Sequence, residues 1–133
     1  MIFIDTNAFI ALIDPKDKFH KAAIGWWKAN RETKLITSNI VTIETLGWMR
    51  YKKGKRIAVE AGKTILFGEG ISILPITNQD ELAAWQLFQK IDGRGISMVD
   101  CTSFVLMKRL NIKKVFTFDQ DFKTVGFSVL PAP

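Results

Sequence analysis

Apolar and polar positions change rhythm repeatedly along the 133 residues. Ile2, Phe3 and Ile4 form a continuous β-favouring run closed by Asp5, the pattern of a strand buried on both faces of a parallel sheet. Residues 6–13 predict a short helix with Thr6 or Asn7 as N-cap, broken by Asp14-Pro15. Residues 19–30 predict a second helix, and 35–37 a second strand. Residues 39–53 predict a long helix closed by Gly54, and 56–67 another. Residues 71–76 predict a third strand. Thr77, with Asp80 three positions on, opens a further helix with an approximate capping box. That helix carries Leu82, Trp85, Phe88 and Ile91 at spacing three and stops at Gly93. Residues 97–110 are apolar on most sides and predict a central helix. Residues 115–118 and 127–130 predict the last strands. No repeat, low-complexity run or linker interrupts the alternation, which predicts a single α/β domain around a mainly parallel sheet.

Composition narrows the class. Hydrophobic residues make up 47% and charged residues 24%, so there is apolar surface enough for a core and disorder is excluded. No apolar run has the length of a membrane span, and the start of the chain lacks the basic residues of a signal peptide. The single Cys101 permits no intrachain disulfide and fits a reducing, cytoplasmic setting. The formal net charge is +6, which permits a polyanionic partner.

Four of the thirteen acids fall where the pattern makes solvation unexpected. Asp5 and Asp119 each follow a predicted buried strand, at the sheet edge where open parallel sheets bind ligands. Glu44 has Ile40, Val41 and Trp48 as helical neighbours, and Asp100 has Ile96 and Phe104. Each has a plainer role available: Asp5 and Asp119 as N-caps, Glu44 in an ion pair, Asp100 as a first-turn acid behind a Ser97 cap. No Lys or Arg stands three or four positions from Asp5, Glu44 or Asp100, so local pairs do not account for these three. Two unit charges ~5 Å apart at an effective dielectric of ~20 repel by roughly 3 kcal/mol. A converging set therefore requires a cation, and oxygen-only donors select Mg2+ or Mn2+ over Zn2+.

At these residues the sequence resembles the PIN-domain family, VapC toxin type, nearly end to end. Asp5-Thr6-Asn7 resembles the family's opening motif, Glu44 its helical glutamate, Ser97-Met98-Val99-Asp100 its third motif, and Thr117-Phe118-Asp119-Gln120-Asp121-Phe122 its fourth. The resemblance implies a three-layer α/β/α PIN-like fold with a central, mainly parallel five-stranded sheet. It implies an Mg2+- or Mn2+-dependent ribonuclease that hydrolyses RNA phosphodiesters, controlled by a cognate antitoxin and expected as a homodimer. Asp5, Glu44, Asp100 and Asp119 become the expected catalytic and metal-site acids. Thr6, Ser97 and Thr117 become supporting polar groups; Asp121 either assists Asp119 or caps the short helix before Gly126, with Asp119 the preferred ligand.

Metal-bound water is the expected nucleophile. His20, the one histidine, is remote from all four motifs and expected at the surface or half-buried. Arg50, Lys52, Lys53, Lys55 and Arg56 form the stronger basic patch for RNA or an acidic antitoxin segment. Lys16, Lys18 and Lys21 form a second group, closer in sequence to Asp5. Cys101 is expected to be a small buried hydrophobe. A haloacid-dehalogenase-like site is disfavoured because Asn7 stands where its second aspartate belongs. An RNA-processing nuclease and a non-catalytic PIN-like module are the remaining alternatives. With the four acids set aside, the rest of the chain carries 19 − (13 − 4) = +10.

Overall fold

The computed structural model describes residues 1–132. Its elements in chain order are β1 (Ile2–Ile4), α1 (Thr6–Ile13), α2 (His20–Ala29), β2 (Leu35–Ser38), α3 (Asn39–Lys53), α4 (Lys55–Phe67), β3 (Ile71–Leu74), α5 (Asn78–Lys90), α6 (Met98–Arg109), β4 (Lys114–Phe116), α7 (Asp121–Thr124) and β5 (Ser128–Leu130). The five strands form one sheet in the order β3-β2-β1-β4-β5, and every pair is parallel. Phe3 of β1 lies opposite Ile36 of β2 and Val115 of β4. Right-handed crossovers place α1 to α4 on one face and α5 to α7 on the other, which gives the expected three layers.

β1 lies at the centre and is buried throughout, which explains its uninterrupted apolar run. Phe3, Ile4, Val115 and Phe116 from the strands, Phe104, Leu106 and Met107 from α6 and Phe122 from α7 make up much of the core. Phe104 meets Phe122 edge-on with ring centroids 4.8 Å apart. Ser38 caps α3 by accepting the Val41 N–H at 3.1 Å. Gly54, at φ 89°, ends α3 and lets α4 begin at the next residue, a left-handed turn that side chains resist.

Strand order reverses between β1 and β4, since the chain builds β1-β2-β3 to one side and β4-β5 to the other. The crevice beyond the carboxyl ends of β1 and β4 is therefore the expected ligand position. Asp5 follows β1 there, and Thr117 to Asp119 follow β4.

Several boundaries differ from the sequence expectation, each for a physical reason. β4 ends at Phe116: the Thr117 N–H still reaches Leu130 O at 3.0 Å, but the Phe118 N–H turns to the side chain of Asn7, bonding Oδ1 at 3.0 Å. Asp5, not Thr6 or Asn7, occupies the N-cap position of α1, and it makes no side-chain cap bond. The stripe at spacing three on α5 lies largely outside the core: Leu82, Trp85 and Phe88 are 65%, 52% and 40% exposed. Strict spacing of three drifts about 60° around a helix at each step. The face that packs is Asp80, Ala84, Leu87 and Ile91, which alternates four and three and stays on one side.

Candidate active site

Asp5 is 4% exposed, and its Oδ2 faces Thr117 Oγ1 at 3.0 Å. Burial, with the charges of Asp100 and Glu44 added, pushes its carboxyl up to about 7, against the opposing pull of the Thr6 N–H and the Thr117 hydroxyl. No lysine or arginine pairs with it among the described residues.

Thr117 is the joint between the two strand ends. Its hydroxyl lies 3.0 Å from both Asp5 Oδ2 and Asn7 Oδ1, and it accepts the Asp119 N–H at 3.1 Å. The hydroxyl has one proton, so it serves one of the two acceptors at a time. Asp119 Oδ1 in turn accepts the Asp121 N–H at 2.9 Å. Burial raises the Asp119 carboxyl, and the Asp121 charge adds to that. Asp121 is half-buried at the start of α7, where its N–H fixes Asp119. Lys123, four residues after Asp119, forms no ion pair with it.

Asp100 arrives from the other face. Ser97 Oγ accepts the Asp100 N–H at 3.0 Å, and Asp100 Oδ2 accepts the Ser97 N–H at 2.9 Å, a full capping box opening α6. Burial raises its carboxyl, and Asp119 and Glu44 push the same way. The plainer role weighed for Asp100 is thus real, and one of its oxygens is occupied by it. Cys101 behind it is fully buried.

Glu44 requires a correction. It is exposed, not enclosed by an apolar stripe. The buried residues of α3 are Val41, Thr42, Thr45 and Met49. At 3.6 residues per turn they centre roughly 110° away from Glu44, which leaves it on the rim of α3, where its charge still adds to the upward push on Asp5 and Asp100. Asp100 and Glu44 thus act on Asp5, and Asp119 and Glu44 on Asp100, a chain of like charges contributed by β1, α3, α6 and the end of β4.

Whether these groups suit a hard divalent ion can be tested on their chemistry. The donors are all oxygens, neighbouring acids raise both Asp5 and Asp100, and no ion pair among the described residues offsets the four. Thr6 Oγ1, beside Asp5, is buried and without a hydrogen-bond partner. All of this fits Mg2+ or Mn2+. Among the described residues, no three His, Cys, Asp or Glu side chains already stand close enough to enclose an ion. The donor chemistry fits, but the close convergence of Asp5, Glu44, Asp100 and Asp119 expected from the sequence is not formed among the described residues, with Glu44 exposed on α3.

The basic patch is placed differently from the expectation. Lys53 Nζ is bound to Asp14 Oδ1 at 2.9 Å, which holds that buried carboxyl below the usual range, chiefly through the Lys16 N–H and then Lys53. Lys53 is therefore a brace and not a free RNA contact. Lys52 lies over its neighbour Tyr51, and Arg50, Lys55 and Arg56 are exposed. Lys53 is nine residues beyond Glu44, about 13 Å along the helix. A cavity of about 570 Å3, lined by Phe9, Leu12, Trp27, Arg56, Ile57 and Ile65 among others, contains none of the four acids. Asn7 is the residue that sequence reasoning underrated: it stands in the first motif, yet no periodicity marks it as the clasp of the 117–119 segment.

Over residues 2–128 the sequence matches the profile described as PIN domain. It is 35% identical over 127 residues to the 23S rRNA-specific endonuclease VapC20 of Mycobacterium tuberculosis, covering 96% of this chain and 95% of that protein. The crystal structure of Mycobacterium tuberculosis VapC20, a sarcin-ricin loop cleaving toxin, matches with a TM-score of 0.88 at 32% identity over 96% of each chain. The fold alone extends to VapBC2 from Rickettsia felis bound to a DNA fragment from their promoter, with a TM-score of 0.68 and 17% identity over 97% of each chain. FitAcB from Neisseria gonorrhoeae gives 0.70 and 19%, over 97% of this chain and 96% of that one. A match that spans all four acid motifs and nearly the whole sheet leaves one conclusion: the chain belongs to the PIN-domain family and is of the VapC type.

Proposed function

We propose that the protein is an Mg2+- or Mn2+-dependent endoribonuclease and the toxin of a toxin–antitoxin pair. The observation that carries this is Asp5: a buried carboxylate at the switch point, raised to about 7, with acids for neighbours and no cation of the protein against it. A purely structural site has no use for that cost. Asp5, Glu44, Asp100 and Asp119 would hold the ion, which when bound supplies water of lowered pKa and offsets charge on the scissile phosphate.

The chain's own groups do the positioning. Thr117 holds Asp5 and the Asp119 backbone in one frame. Ser97 fixes Asp100 so that one oxygen is committed to the helix and the other remains for the site. His20 takes no part, since its Nδ1 lies 2.6 Å from Ala11 O.

The likeness to VapC20 supports a structured loop of 23S rRNA as the substrate. Fold neighbours solved as VapBC and FitAB assemblies support a cognate antitoxin. Exposed Arg50, Lys52, Lys55 and Arg56 remain candidates for antitoxin contact. A second copy is the expected cover for Leu82, Trp85 and Phe88, because a two-fold axis lets one apolar strip serve both subunits. No helix among the described residues is long and apolar enough to cross a membrane, and the proposed setting is the cytoplasm.

The test is incubation of 23S rRNA with Mg2+, Mn2+ or EDTA, with mapping of the new ends. Cleavage at discrete sites with either metal, abolished by EDTA and by Asp5→Asn, is expected. Equal cleavage by Asp5→Asn, or cleavage undiminished in EDTA, would overturn the proposal.

A further inference from the structure

The segment between α1 and α2 is short, internally bonded and tied at its far end to the 117–119 segment through Phe19. Asp14 opens it, taking the Lys53 ammonium and the Lys16 N–H, each at 2.9 Å. Asp17 repeats the device. Its Oδ1 accepts the Phe19 N–H at 2.8 Å, its own N–H reaches Asp14 O at 3.0 Å, and its carbonyl takes the His20 N–H at 3.0 Å. Two aspartate-capped turns in succession hold the segment in one shape.

Its aromatic residue locates it. Phe19 stacks on Phe118 with ring centroids 4.5 Å apart and planes 6° from parallel. Phe118 stands between Thr117 and Asp119 in the chain, and Asn7 clasps its N–H. Lys18 Nζ lies over the Phe19 ring, 4.9 Å from its centroid, the geometry of a cation held on a π face. Lys18 is exposed and forms no ion pair among the described residues. A column of Lys18, Phe19 and Phe118 thus ends on the residue between Thr117 and Asp119, with an exposed positive charge at its outer end.

Position gives that charge its use. A nucleic acid strand approaching four carboxylates is repelled unless fixed positive charge meets its phosphates nearby. The 50–56 cluster does not supply it at this edge: Lys53 is committed to Asp14, and the others flank the end of α3 remote from Glu44. We propose that Lys18, seated on the Phe19–Phe118 stack, is the phosphate-binding residue that guides the RNA strand to the acids, and that Lys53 acts on the same task indirectly by bracing the segment through Asp14. This rests on the ribonuclease reading.

The experiment compares full-length wild type with Lys18→Gln, Lys18→Arg and Lys114→Gln. Lys114 is exposed at the opposite end of β4 and serves as a control for bulk charge. Two readouts are taken: steady-state cleavage of RNA with Mg2+, and RNA binding in EDTA, each at about 50 and 200 mM salt. One phosphate contact to a single strand contributes about 0.7 to the slope of log affinity against log salt, or about 2.6-fold across that fourfold range. Wild-type KM should therefore rise about 2.6-fold more than that of Lys18→Gln. The low-salt loss in Lys18→Gln should fall on KM, not kcat, and Lys18→Arg should restore both KM and slope. Lys114→Gln should keep the wild-type slope.

Unchanged KM and slope in Lys18→Gln would overturn the proposal. So would a loss confined to kcat, which marks a structural role, or an equal change in Lys114→Gln, which marks bulk charge. Should wild type cleave RNA while Lys18→Gln matches it, only the role of this segment fails. Should wild type neither bind nor cleave RNA, the ribonuclease reading fails with it.

Discussion

Replacing Asp5 with Asn should make the metal-free protein more stable, and by an amount that depends on pH. The Asp5 carboxyl is raised from 3.8 to about 7, chiefly by burial and next by Asp100. At 1.36 kcal/mol per unit, that shift corresponds to about 4 kcal/mol, the ceiling on what ionised Asp5 costs the folded state. Its folded value lies above its unfolded one. Between about pH 4 and pH 7 the folded chain therefore keeps a proton that the unfolded chain has released. Stability falls as pH rises through that window and stays low above it. Asn has no proton to lose, and its carbonyl oxygen still accepts from Thr117. Urea unfolding in EDTA should show the variant close to wild type near pH 4 and up to about 4 kcal/mol more stable near pH 8. With m-values of about 1–3 kcal/mol/M, the midpoint at high pH should move by more than about 1 M. Mn2+ should recover part of the loss in wild type near pH 8, with a smaller effect in the variant. A wild-type-to-variant difference that is the same at both pH values would refute an upward-shifted Asp5.

Thr117→Val removes a hydroxyl that serves Asp5 and the Asp119 N–H; it should cost about 1–3 kcal/mol of stability and lower kcat about tenfold or more. A stability loss with kcat intact would reduce Thr117 to a scaffold residue. Arg109→Ala removes both 2.9 Å bonds to Asp80, which is 3% exposed. Burial pushes Asp80 up, but Arg109 and Thr77 outweigh it and hold the carboxyl below its usual range. That contribution is present above the unfolded carboxylate pKa and disappears as pH falls, so the variant's deficit should be fullest at neutral pH and shrink in acid. Because Arg109 is half-exposed, a deficit of about 1–3 kcal/mol is expected in urea unfolding, and an equal deficit at pH 7 and pH 3 would contradict the pairing. Trp85→Asp should convert a dimer to a monomer in light scattering, and an unchanged mass would remove α5 from the interface.

Much of the fold is legible because burial on two faces leaves an unmistakable mark. The Ile2-Phe3-Ile4 run reads as a central strand since nothing polar survives there. Both capping boxes, Thr77 with Asp80 and Ser97 with Asp100, are visible as spacing alone. What stays hidden depends on partners distant in sequence. Glu44 has apolar neighbours, but which side of α3 meets the sheet is set by packing, and that leaves it on the rim. Lys53 looks like one of a basic run until the fold brings Asp14 against it from 39 positions earlier. Asn7 looks like a cap residue, yet its partners are 110 and 111 positions away. Phe19 and Phe118 meet across nearly a hundred residues, and no local pattern announces the stack.

The capping box at Ser97 separates the four acids by what would preserve them if cleavage ceased to matter. Asp100 would keep an occupation, because its carboxylate still accepts the Ser97 N–H and starts α6. Asp5 makes no cap bond and burdens the fold, so a lineage released from selection for catalysis would gain stability by losing it. An aspartate at position 100 therefore says little about whether a PIN-type chain is alive as an enzyme. An aspartate retained at position 5, against its own cost, is the more telling residue under the proposed function.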